Sequence, residues 1–177
     1  MVFAHDTVNS LRAAVDLVNA EEPPQTLTTT ADLDAFFARH GYTGRRDGTD
    51  AELARVRALA PRLRELLLAS RDEAPALVND LLARSGTPPR LVRHEGQDWH
   101  LHAVAPDAPL DERIVVETAM AMIDVVRADE HSRLAVCADD DCRGIVLDLS
   151  RNRSRRYCST ACTNRNAQAA LRARRSG

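Results

Sequence analysis

Through the first 85 positions, hydrophobic residues recur with the 3.6-residue period of amphipathic helices. From about Asp6 to Ala20, Val8, Leu11, Val15 and Val18 share one face; Asp6 is placed to cap the start and Pro23-Pro24 to end the run. A second short helix is predicted over 31–40, with Thr30 as N-cap and Gly41 just past its end. The stretch Gly44–Asp50 reads as a loop. Leu53, Val56, Ala60, Leu63 and Leu67 then align on a third face, and Pro61 within it implies a kink or two successive helices. A further helix is predicted from Ala74 to Arg84, stopped by Ser85-Gly86 and Pro88-Pro89. The period next changes to two. Trp99, Leu101 and Ala103 alternate with Asp98, His100 and His102, and Leu91–His94 precedes them across a turn at Gly96, which predicts a β-hairpin. Leu110–Arg127 is the most apolar segment, its polar stripe reduced to Arg113, Glu117 and Asp124, and is expected to be the central helix. Residues 1–130 therefore predict a mainly α domain with a small β-hairpin, an α+β unit.

Composition agrees with a folded chain. The 177 residues are 44% hydrophobic, which excludes disorder throughout, and no apolar run reaches the roughly 18 residues of a spanning helix. The first residues lack the basic head and apolar run of a secretory signal, so a soluble, cytoplasmic protein is expected. The net charge of −2 conceals an asymmetry. Residues 1–142 hold 15 arginines against 25 acids, a net of −10, whereas 143–177 hold nine arginines against the single acid Asp148, a net of +8. All 24 basic residues are arginine; beside 28 alanines, this reads as a GC-rich coding habit. The four cysteines also cluster at the C-terminal end. Both shifts place a boundary near residue 130, giving a second module over 131–177.

The cysteines are spaced Cys137-x4-Cys142-x15-Cys158-x3-Cys162. Two close pairs at this separation in a cytosolic chain read as a four-thiolate zinc site, with a redox-switch form of the same cluster as the alternative. A short turn such as 138–141 lets two thiolates reach one ion, and cysteines four apart on a helix lie one turn from each other. Ile145–Leu147 is predicted as a strand and Arg155–Tyr157 as its returning partner across the loop 150–154. The expected product is a treble-clef-like or ribbon-like finger ending in a helix from about Ser159 to Arg174. One structural zinc per chain is implied.

Arg151, Arg153, Arg155 and Arg156 fall within six residues, and Arg165, Gln168, Arg172 and Arg175 repeat at i, i+3, i+7 and i+10 along the last helix. Guanidinium forks match phosphates and guanine edges, and an amide matches adenine. This is the electrostatic footprint of a nucleic-acid reader. The alternatives are a zinc-stabilised protein-interaction module, or an RNA binder, with no direct DNA contact.

Cys137–Cys142, Leu147–Ser159 and Cys162-Thr163-Asn164-Arg165 resemble the CGNR zinc-finger proteins, whose finger ends in Cys-Gly-Asn-Arg and follows an N-terminal ABATE domain. This chain carries Thr163 in place of the glycine, retains Asn164 and Arg165, and has a three-residue gap in its second cysteine pair. Thr163 is expected in the first helical turn, where glycine is not sterically required. The resemblance implies a bacterial, stress-linked transcription regulator. Its finger would contact DNA, Asn164 and Arg165 included, and its N-terminal domain would sense a small-molecule effector or mediate homodimerisation.

Other features carry less. His94, His100 and His102 read as hairpin histidines rather than a second metal site. Glu117 and Asp124 read as a solvated or ion-paired stripe with Arg113 and Arg127 rather than an acid/base pair. With no glycine-rich phosphate loop, nucleophile elbow or histidine-glutamate zinc helix in the sequence, an enzyme is not expected.

Overall fold

A computed structural model describes residues 3–86, 88–93, 99–105 and 107–176. Five helices come first: α1 (His5–Ala20), α2 (Thr30–Arg39), α3 (Asp50–Arg57), α4 (Ala60–Leu68) and α5 (Ala74–Ser85). Strands β1 (Arg90–Val92) and β2 (His100–His102) lead to α6 (Leu110–Ala128). A 3-10 turn at His131–Arg133, strands β3 (Leu134–Val136) and β4 (Ile145–Leu147), and α7 (Thr160–Ser176) complete the chain. The fold is mainly helical with small antiparallel sheets.

Local chemistry explains the boundaries. The cap of α2 is Thr29 rather than Thr30: its hydroxyl accepts from the Asp32 N–H while the Asp32 carboxylate accepts from the Thr29 N–H, a reciprocal capping box. Asp6 does not cap α1 either. It lies in the first turn, where its carboxylate accepts from the Thr7 N–H, and Ala4 occupies the cap position. Pro61 resolves the third periodic stretch into two helices, since its ring fits the first turn of α4 and lacks the N–H that a continuous helix would need. Gly86 takes the left-handed conformation that closes α5.

Helix α6 is the centre of the body, packed against α1 and α5 with α3 and α4 beside it. Leu11, Leu17, Leu63, Leu110, Ile114 and Met122 are fully buried, each contributing about 1.5–3 kcal/mol by leaving water. Its polar stripe departs from the expectation of a solvated, ion-paired face. Arg113 is buried and donates to the carbonyls of Thr43, Arg45 and Ala108, so it anchors the α2–α3 loop. Buried Glu52 holds the same loop from its other end, accepting from the N–H groups of Asp47 and Gly48 and pairing with Arg46.

In the β1–β2 hairpin, Leu91 faces Leu101 in an antiparallel register. Ala103 is buried, whereas Trp99 and Leu101 stay exposed. His94 and the turn at Gly96 lie outside the described residues, as do the side chains of His100 and His102. In the C-terminal module β4 is paired, but with a different partner from the one expected. Leu134 faces Leu147 across β3–β4, and Arg155–Tyr157 is not a strand. The reason lies in Asp148, just past β4. Its carboxylate accepts from the N–H groups of Ser150 and Arg155, which folds the returning chain into a loop. Leu134, Ile145 and Leu147 enter the same core as α1 and α4, so the hairpin is packed into the helical body.

Candidate metal centre and nucleic-acid interface

The knuckle between β3 and β4 supplies Cys137 and Cys142, and the start of α7 supplies Cys162 with Cys158 just before it. Their sulfurs all lie within 4.8 Å of one another. Cys142 and Cys158 Sγ are 3.5 Å apart, and Cys158 and Cys162 Sγ 3.8 Å. Sulfurs each about 2.3 Å from a tetrahedral zinc would be separated by about 3.8 Å, so the cluster fits that ion. The donor chemistry fits as well. Gly144 N–H points at Cys142 Sγ (3.3 Å), Cys158 N–H at Cys137 Sγ (3.4 Å) and an Arg165 guanidinium N–H at Cys162 Sγ (3.4 Å), an arrangement that stabilises thiolates. Without a cation the cluster is electrostatically costly: burial and the surrounding thiols push the Cys158 thiol far above its ordinary range. The four cysteines are placed to hold one structural zinc ion, which would join the knuckle to α7.

Several residues that build this centre escaped the sequence reading. Gly144 is one: a Cβ there would lie 2.9 Å from Cys158 Sγ and 3.2 Å from Asn19 Oδ1, so the position has no room for a side chain. Asp139 is buried in the knuckle and receives the Arg165 Nε–H at 2.8 Å, the Asn166 amide at 2.7 Å and the Asp141 N–H. The Arg165 guanidinium above all holds the Asp139 carboxyl below its ordinary pKa. Asn19 of α1 clamps β4, accepting from Ile145 N–H at 2.6 Å and donating to Ile145 C=O at 2.8 Å. The signal for Gly144 was a glycine two residues past the second knuckle cysteine; Asn19 left no local signal.

With the centre described, comparison by sequence becomes informative. Residues 133–175 match the CGNR zinc finger, and residues 11–129 match ABATE, described as "Putative stress-induced transcription regulator". The chain belongs to the ABATE family. No curated protein matches it. In its CGNR segment, Thr163 sits in the first turn of α7 with its hydroxyl donating to the Ser159 carbonyl at 3.0 Å. A β-branched residue is therefore accommodated where the family name has glycine.

Three of the arginines expected to contact nucleic acid have partners within the chain. Arg153 pairs with Glu130 and donates to Ser132 Oγ, both at 2.8 Å; Arg155 donates to the carbonyls of Tyr157 and Cys158; Arg165 is tied to Asp139. These three shape the loop and the knuckle. Arg151, Arg156, Asn164, Gln168, Arg172 and Arg175 are exposed. From Thr163 to Arg175 no residue of α7 is buried, and even Leu171 is half exposed. Among the described residues no helix is long and apolar enough to cross a membrane.

Proposed function

We propose that this ABATE–CGNR chain is a zinc-dependent DNA-binding transcription regulator of the bacterial cytoplasm, associated with the nucleoid when bound, and linked to a stress response. The observation that carries the reading is α7. From Thr163 to Arg175 the helix buries no residue, yet it carries Arg172, Arg175 and Gln168 on one stripe. It is 17 residues long, about 25 Å, and thin enough, with its many alanines, to enter a major groove. Arg151 and Arg156 in the preceding loop, and Asn164 in the first turn, extend the same basic surface. Arg153, Arg155 and Arg165 act on it indirectly, by fixing the loop and knuckle. The N-terminal domain senses an effector or joins two chains; two fingers offer the affinity that one small contact set lacks.

Mobility shift of random duplex with the zinc-loaded full chain, at low and moderate salt, tests the reading. Retardation at low salt that weakens at moderate salt is expected. Alanine at Arg151, Arg156, Arg172 or Arg175 should lower affinity for all sequences and reduce the salt slope by about 0.9 per lost phosphate contact. No retardation at either salt overturns DNA binding.

A further inference from the structure

The functional reading leaves unused a cavity of about 730 Å³ in the N-terminal helical body. That volume is in the range of small-molecule sites, roughly 300–1,000 Å³. The first turns of α1, the turn after α2, the exposed side of the β-hairpin and the second half of α6 form its walls. Two features mark it as built rather than incidental. Tyr42 is only 8% exposed, lines the cavity, and its buried hydroxyl has no hydrogen-bond partner among the described residues. Leaving such a group unsatisfied is costly, and a ligand that hydrogen-bonds to it recovers that cost. Glu117 lines the same cavity, near enough to Tyr42 for its charge to be felt there, and forms no ion pair among the described residues.

The surroundings choose the ligand class. Asp6, Glu117 and Asp124 bring three carboxylates, of which Asp124 accepts from Thr7 Oγ1 at 2.5 Å. Among the described residues of the lining, Arg127 is the one arginine and His5 and His40 are the histidines. Thr7, Asn9, Ser10 and Thr43 add neutral polar groups, and the apolar part of the wall is chiefly Met120 and Ile123 of α6 and Trp99 and Leu101 of the hairpin. Trp99 and Leu101, exposed on the outer chain, are thus the cavity's own apolar side.

We propose that this cavity binds a small organic cation with an apolar body, its ammonium donating to Glu117 and to Tyr42 Oη and its body lying between α6 and the hairpin. The proposal deepens the effector-sensing half of the functional reading and rests on it.

Trp99 is the single tryptophan of the chain, so its fluorescence reports the site directly. Zinc-loaded full-length protein would be titrated with 2-phenylethylamine and, separately, with 3-phenylpropionate, which has similar size and opposite charge. A saturable change with the amine at a Kd of about a millimolar or below, and none with the acid, is expected. Glu117→Gln should weaken amine binding about tenfold or more, and Tyr42→Phe should weaken it less. Circular dichroism of both variants checks that they fold. No saturable response to the amine, an equal response to the acid, or amine binding unchanged in a folded Glu117→Gln variant overturns the proposal. The titration contains no nucleic acid, so its failure leaves DNA binding standing, and a failed mobility shift leaves the titration intact.

Discussion

Glu117 makes a quantitative prediction about stability that needs no ligand. Half-buried on α6, Glu117 loses hydration, which raises its carboxyl from the ordinary 4.5 to about 7, an effect that Arg113 opposes and Asp6 reinforces. In the unfolded chain the group titrates near 4.5. Below that pH both states are protonated and no penalty exists. Between about 4.5 and 7 the unfolded chain releases a proton that the native state keeps, so stability falls as pH rises. Above 7 both states are ionised and the penalty is complete, about 3 kcal/mol. Glu117→Gln removes the charge and hence the penalty.

The variant should therefore be more stable than the parent, by about 1–1.5 kcal/mol at pH 5.5 and about 3 kcal/mol at pH 8.5. For a chain of this length, the larger figure corresponds to roughly 6–12 °C in Tm. Urea unfolding of both proteins across that pH range measures it. Acid release of zinc is common to the two and cancels in the difference. If the difference is independent of pH, or if the variant is the less stable at pH 8.5, Glu117 is not buried as a costly charge.

Gly144→Ala should abolish stoichiometric zinc, because its Cβ would meet the Cys158 sulfur; metal content of the purified variant reads this out, and full zinc occupancy would contradict it. Asp139→Ala frees Arg165 and Asn166 from the knuckle and should weaken zinc binding roughly 10–100-fold in competition with a chromophoric chelator. Asn19→Ala removes two hydrogen bonds to β4 and should destabilise the body–finger junction by about 1–3 kcal/mol, visible as faster amide exchange at Ile145. Removing zinc by chelation should expose the amides of 148–176 while those of β3 and β4 stay protected, since Leu134, Ile145 and Leu147 are held by the helical core.

Legibility followed the range of the forces involved. An interruption at Pro61, the stop at Gly86 and the central place of α6 were readable because each depends on φ restriction or on a few successive turns; whether Pro61 kinks one helix or separates two was not. The cap of α2 was displaced by one residue within Thr28-Thr29-Thr30, and only the reciprocal pairing with Asp32 selects Thr29. The strand expected at Arg155–Tyr157 fails because Asp148 captures two backbone N–H groups and holds that segment as a loop. Arg113 resembled part of a wet stripe because its three acceptors are carbonyls, two of them about 70 residues away.

The sequence by itself determined the helical periods, the acidic and basic halves, and the four thiols spaced for one metal ion; all depend on residue type and short separations. Only the tertiary structure decided which arginines are committed. Arg153, Arg155 and Arg165 have the same composition as Arg151, Arg156 and Arg175, yet their partners come from Glu130, a pair of carbonyls and Asp139. It also decided that β4 is gripped by Asn19 and that Tyr42 and Glu117 line one cavity. Those juxtapositions arise from packing between elements distant along the chain, where neither period nor spacing leaves a trace.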